Sequence, residues 1–196
     1  VVDVLTRYFK NKGVDVKTFL DPSSGRGTFI DSFRGEYGNK AEVTAFEKDL
    51  LTGKILKALH PDSKVIVDGF ETMDLSLKGC FDLVASNIPF GDIPVFDPDF
   101  ARGGNKTRLQ ASKAIHNYFF LKALDAAREG GFVAFITSRG FMDSPSNNPV
   151  REEIARHAVL VAALRLPDGM FSDEAGTEVG SDLVILQKHS GYNYEG

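Results

Sequence analysis

The 196-residue sequence has one cysteine, Cys80, with neither a CxxC pair nor a Cys/His cluster. That excludes an intramolecular disulfide and a structural zinc site, and a reducing cytoplasm is the expected compartment. No stretch approaches the roughly 18 to 20 consecutive apolar residues a membrane span needs, and no basic patch precedes an apolar run at the N-terminus. The chain is therefore expected to be neither secreted nor inserted in a membrane. Basic residues are not in excess either. Lys and Arg number 23 against 27 Asp and Glu, a net charge of −4, which argues against a module that holds nucleic acid by bulk electrostatics. His60, His116, His157 and His189 are scattered without metal-ligand spacing, so they read as surface or capping residues and no metal is expected. Because the first residue is Val1, the sequence is expected to be part of a longer polypeptide.

What is present is ordinary globular composition, 42% hydrophobic and 26% charged, enough for one sizeable core across residues 1–196. The 19 glycines fall at the ends of apolar runs rather than in a repeat, as turns do. Short apolar runs at 17–20, 42–46, 64–67, 81–85, 132–136, 159–166 and 182–187 have the length and the β-branched or aromatic content of buried strands. Helical spacing occupies 1–12, 29–37, 50–59, 112–128 and 150–157, most clearly at 115–127, where Ile115, Phe119, Leu121, Leu124 and Ala127 set an apolar face.

Strands alternating with helices imply parallel strands joined by right-handed crossovers, a doubly wound Rossmann-like α/β domain. The last two runs lie too close together for a comfortable crossover helix, so the final strand is expected to enter antiparallel. The expectation is a mostly parallel seven-stranded sheet with one antiparallel strand near the C-terminus, as suits a methyltransferase-type fold. Residues 93–110 show no period and carry Pro94, Pro98, Gly103 and Gly104, which reads as a long loop.

The strongest local signal is Phe19-Leu20-Asp21-Pro22-Ser23-Ser24-Gly25-Arg26-Gly27-Thr28-Phe29, an apolar strand running into a glycine turn that opens a helix. Such turns let backbone approach a ligand at the carboxyl ends of strands. Taken alone, a Gly-x-Gly is equally compatible with a plain tight turn; Asp21-Pro22 at the strand end favours a ligand. The third glycine of a dinucleotide fingerprint would fall at Ile30 and is missing, and no GxxxxGK[ST] phosphate loop is present. Glu47, twenty residues after Gly27, follows the second strand, where a carboxylate can accept from both ribose hydroxyls. Asp68 ends the third strand two residues before Phe70, an acid for an adenine amine beside a ring that packs on it. A nucleoside pocket without a phosphate grip suits S-adenosylmethionine better than NAD or ATP.

Ser86-Asn87-Ile88-Pro89-Phe90-Gly91-Asp92 follows the fourth strand. An adenine amine is a poor nucleophile because its lone pair is delocalised into the ring. The Asn87 side-chain oxygen and the Ile88 carbonyl can accept its two N–H bonds and turn the lone pair toward a methylsulfonium. Pro89 stiffens that array and Phe90 offers a π-face for a planar base. An Asn-x-Pro alone is more often a turn. Its position after the fourth strand, behind the other pocket elements, favours chemistry.

With these residues in place, the sequence resembles the amino-group DNA methyltransferases that modify adenine. DPSSGRGTF is similar to that family's cofactor loop and SNIPFGD to its Asn-Pro-Pro-Tyr/Phe loop. Gly130-Gly131-Phe132-Val133-Ala134-Phe135-Ile136, Leu166-Pro167-Asp168-Gly169-Met170-Phe171 and the run 181–186 resemble modification subunits of type I restriction systems. The resemblance covers about 19–188 and implies the gamma-type motif order. It assigns Asp21, Ser23, Gly25, Gly27, Phe29, Glu47, Asp68 and Phe70 to S-adenosylmethionine, and Asn87, Ile88, Pro89 and Phe90 to the methyl acceptor. Ile88 stands where the family has its first proline, which is expected to loosen the loop and reduce activity.

The implied partner is double-stranded DNA with a flipped adenine, with a specificity or helicase module elsewhere in the polypeptide or in a partner chain, since no target-recognition domain is recognisable. Arg102, Lys106, Arg108 and Lys113 lie in a segment without an acid, and are assigned either to the DNA backbone or to a solvated loop. The same chemistry on an RNA adenine or a protein glutamine amide, or a non-catalytic scaffold in a larger DNA-processing protein, are the alternative readings.

Overall fold

The computed structural model describes residues 2–102, 104–167, 180–189 and 191. Its strands are β1 (Thr18–Asp21), β2 (Glu42–Phe46), β3 (Lys64–Ile66), β4 (Phe81–Asn87), β5 (Ala127–Ser138), β6 (Ala158–Arg165) and β7 (Ser181–Lys188). They form one sheet in the order β3-β2-β1-β4-β5-β7-β6. The helices are α1 (Val2–Asn11), α2 (Thr28–Tyr37), α3 (Leu50–Leu59), α4 (Pro98–Arg102), α5 (Lys106–Ala111), α6 (Ile115–Ala126), α7 (Gly140–Asp143) and α8 (Asn148–His157). Neighbouring strands pair in parallel except β7, which runs antiparallel to both β5 and β6. The doubly wound sheet expected from the sequence is present, with its antiparallel strand in the expected place.

The inner strands β1, β2, β4 and β7 read as largely apolar runs because both faces are covered, whereas the edge strand β6 is mostly exposed. Successive side chains point to opposite faces, so Phe19 and Leu83 join one buried cluster with Phe33 and Leu56, while Leu20 and Val84 join the other with Phe120 and Phe135. Asp82 sets β1 beside β4. Its Oδ2 accepts from the Lys17 and Thr18 backbone N–H groups at 2.7 and 2.9 Å, and its other carboxylate oxygen pairs with Arg128.

Residues 93–110 are not a continuous loop, since α4 and α5 form within them. Each is too short to show a period, and each is held by tertiary contact through one buried side chain, Phe100 and Ala111. Their presence also changes α6. It was expected to have one apolar face, yet Tyr118, Phe120, Lys122 and Ala123 are buried along with it.

The strand expected at 132–136 begins at Ala127, inside the helical spacing read over 112–128. Phe81 pairs with Ala127 and Leu83 with Phe132, so β5 bulges between them. A Cβ on Gly131 would lie 2.8 Å from the Phe81 carbonyl oxygen, which is why glycine occupies that bulge.

Candidate active site

Strand order reverses between β1 and β4, the switch point at which open α/β sheets bind ligands. Two loops meet there. The chain leaving β1 turns at Gly25 (φ +53°) and Gly27 (φ +94°), and Gly27 caps the start of α2. A Cβ at Gly27 would fall 2.2 Å from His60 Nε2, so this glycine meets both a left-handed backbone and a close neighbour. The turn is tied to β2 by the Ser24 N–H, which donates to the Phe46 carbonyl at 2.9 Å.

Glu47, immediately after β2, receives the Gly25 N–H on Oε2 and the Asp49 N–H on Oε1, each at 2.8 Å. Both donors are backbone, so the carboxylate is held in place while each oxygen keeps a lone pair for a further donor. Asp68 is exposed and its Oδ1 accepts the Gly69 N–H at 2.7 Å. Phe70 is buried, edge-on to Phe46 and tilted against Phe119, with centroids 5.6 and 5.4 Å away.

A cleft of about 300 Å³ joins these elements. Ser23, Glu47, Asp68 and Phe70 line it, as do Pro89 and residues 93–96 from beyond β4. Of the residues the resemblance assigns to the cofactor, these first four share one cavity. Gly25 and Gly27 shape the turn instead. Asp21 and Phe29 are buried outside the lining, Phe29 among Phe19, Ile30 and Phe33 in the core. Both were expected to touch the cofactor, but the alternation of β1 and the inward face of α2 place them behind the cavity.

Asp21 has a distinct role in that position. Its Oδ1 accepts from the Ser86 hydroxyl at 2.7 Å and from the Ser23 N–H at 3.2 Å, while its buried Oδ2 has no partner among the described residues. Complete burial pushes its carboxyl up to about 7 against the opposing effect of the Ser86, Ser23 and Ser24 hydrogen bonds, with the Glu47 charge adding to the rise.

Asn87 ends β4, exposed, in register with Ile136 of β5. Ile88 is not a loose substitute for proline. Its N–H donates to the Ile136 carbonyl at 3.1 Å and its side chain is buried, so strand pairing holds the loop where a ring would. Pro89 and Phe90 are half-buried, and the Gly91 N–H donates to Nδ1 of His116 at 3.4 Å. His116 is buried within α6, contrary to its reading as a surface or capping residue, whereas His60 is buried and caps α3 as the capping reading expected. Burial holds the His116 imidazole below its usual value.

Among the basic residues, Arg102, Lys106 and Lys113 are exposed. Arg108 is not available in the same way. It forms a two-pronged pair with Asp125 at 2.6 and 2.7 Å and lies 4.7 Å above the Phe100 ring. The acid lies on α6, outside the acid-free segment, so sequence proximity did not reveal it. Among the described residues no group of His, Cys, Asp and Glu is arranged to hold a metal ion, and no helix is long and apolar enough to cross a membrane.

A seven-stranded sheet in this order with β7 antiparallel is the α/β fold of the methyltransferases on which the chain superposes. Within it, the chain belongs to the Eco57I restriction-modification methylase family, whose profile matches residues 23–164. It is 32% identical over 178 residues to the defense against restriction protein B of Escherichia phage P1, an overlap of 90% of this chain and 7% of that protein. Its fold is that of the modification subunit of a putative type I restriction enzyme from Vibrio vulnificus YJ016, with a TM-score of 0.76 at 15% identity over 97% of this chain and 44% of that one. A putative class I S-adenosylmethionine-dependent methyltransferase from Listeria monocytogenes superposes with a TM-score of 0.74 at 15% identity, over 100% of this chain and 60% of that one. The chain thus spans a small part of its curated relative. Residues 168–171 of the Leu166-Pro167-Asp168-Gly169-Met170-Phe171 motif lie outside the described residues.

Proposed function

We propose that this domain, as the catalytic part of a longer protein, uses S-adenosylmethionine to methylate the exocyclic amine of adenine in DNA. The observation that carries this reading is the position of Asn87, at the end of β4 and directly before a loop whose Pro89 lines the same cleft as Ser23, Glu47, Asp68 and Phe70.

The residues present fit that cofactor. A cavity of about 300 Å³ is at the lower end of the usual range for small-molecule sites, roughly 300 to 1,000 Å³. Glu47 is oriented by two backbone donors and retains acceptor capacity for a ribose diol, Asp68 accepts from an amine, and Phe70 backs the base. When bound, the cofactor supplies an electrophilic methyl group on a sulfonium. The protein's part is to present the nucleophile. The Asn87 carboxamide oxygen and the Ile88 carbonyl accept the two amine N–H bonds and localise the nitrogen lone pair, while Phe90 stacks on the extruded base. The methylated nitrogen then releases its surplus proton to solvent, so no ionised base is required.

Exposed Arg102, Lys106 and Lys113 follow the catalytic loop in sequence and are assigned to DNA phosphates. Recognition of a particular sequence is assigned to other parts of the polypeptide or to a partner.

Incubation of the full-length protein with radiolabelled S-adenosylmethionine and duplex DNA tests the reading. Label should enter N6-methyladenine and should fall at least about 100-fold in Asn87→Ala. Label in RNA or protein with none in DNA would reassign the acceptor, and unchanged transfer by Asn87→Ala would refute the mechanism.

A further inference from the structure

Lys122 is 1% exposed, on a helix whose neighbouring Tyr118, Phe119 and Leu121 are apolar core. Its Nζ lies 2.7 Å from Oδ2 of Asp97, the same oxygen that accepts from the Tyr118 hydroxyl at 2.7 Å. Oδ1 of Asp97 accepts the Asp99 N–H at 2.8 Å. Burying two charges costs several kcal/mol each, and an apolar pair of similar volume commonly serves stability as well or better. The ion pair therefore calls for a role other than stability.

Its place in the chain suggests one. Asp97 closes residues 93–96, which line the cleft without regular secondary structure. Phe96, next to it, is 78% exposed. The Val95 N–H donates to the Ser112 carbonyl at 2.8 Å and the Ile115 N–H to the Gly91 carbonyl at 3.3 Å. The segment is thus fixed at both ends against the chain leading into α6, and its strongest tether is the one beside Phe96.

We propose that Asp97, Lys122 and Tyr118 form a latch that positions residues 93–96 as a standing wall of the cleft, so that Phe96 is held ready for the bound nucleoside rather than ordered by it. These are positioning residues, and the inference rests on the nucleoside reading of the cleft. A carboxylate that must meet an ammonium and a phenol together fixes its own position more narrowly than apolar packing does. A preformed wall lowers the ordering cost of binding.

The test is titration of S-adenosylhomocysteine into full-length wild type and the charge-free double variant Asp97→Leu/Lys122→Met, with the melting temperature of each. The latch predicts a double variant that melts within a few degrees of wild type, binds at least tenfold more weakly and dissociates faster, with amide exchange at Val95 accelerated. Equal affinity at equal stability overturns the proposal. Should the double variant fail to fold, Tyr118→Phe removes one latch bond at almost unchanged volume, and affinity within twofold of wild type would then overturn it. Absence of binding by wild type would instead refute the nucleoside reading, and the latch with it.

Discussion

The hydroxyl of Ser86 donates to Oδ1 of Asp21 at 2.7 Å, joining the residue before Asn87 to the residue that opens the glycine turn. Ser86 also reaches the Ser23 carbonyl at 3.1 Å, so the two loops at the switch point share one buried hydrogen-bonded knot. Neither Ser86 nor Asp21 lines the cleft, while Ser23 does. Together they fix how the Asn87 loop stands relative to the glycine turn, which is the geometry the proposed transfer requires.

The knot carries a pH signature. The Asp21 carboxyl rises from 3.8 to about 7 on folding, so the native state holds a proton that the unfolded chain has lost. The stability this contributes is complete below about pH 4 and is lost as pH rises toward 7. Asp21→Asn, which keeps an acceptor for Ser86, should flatten the fall in melting temperature across that window. At neutral pH it should stabilise the apo protein by up to roughly 4 kcal/mol, three pKa units at about 1.36 kcal/mol each. A pH profile identical to wild type would show that the Asp21 proton is not coupled to folding.

Gly27→Ala meets two obstacles, a left-handed backbone at φ +94° and His60 Nε2 at 2.2 Å from the new Cβ. Urea denaturation should show a loss of roughly 2 to 4 kcal/mol. Adding His60→Ala should recover only the imidazole's share of the clash, leaving Leu56 Cδ1 at 2.9 Å and the backbone part.

Ile88→Pro restores the residue typical of the resembled loop but removes the N–H that bonds Ile136. Destabilisation of about 1 to 3 kcal/mol is expected, with no gain in transfer rate. Faster methylation by this variant would show that ring rigidity matters more than strand pairing.

The basic residues should separate into two groups. Arg108→Ala should cost about 1 to 3 kcal/mol of stability by stranding Asp125. Arg102→Ala, Lys106→Ala and Lys113→Ala should leave the melting temperature unchanged. Each should reduce the salt dependence of DNA affinity by about one counterion. A reversed pattern would place the DNA contact at Arg108.

What could be read from the sequence and what could not divides by the range of the interactions. The apolar runs of β1 to β5, the helical spacing of α2, α3 and α8 and the glycine turn after Leu20 are set by neighbours a few residues apart, so periodicity and turn chemistry exposed them. The antiparallel β7 was legible because connection length limits topology. Side-chain partners were not. The Asp97–Lys122 pair spans 25 positions, the Arg108–Asp125 pair 17 and the Ser86–Asp21 bond 65. Lys122 lies within a helical run and Arg108 in a segment without an acid, and the fold brings a distant acid to each. The chain alone determined which local shapes form and which residue types stand at the strand ends. Only the tertiary structure decided which of them face the cleft and which are buried behind it, because burial and pairing depend on elements that the sequence keeps far apart.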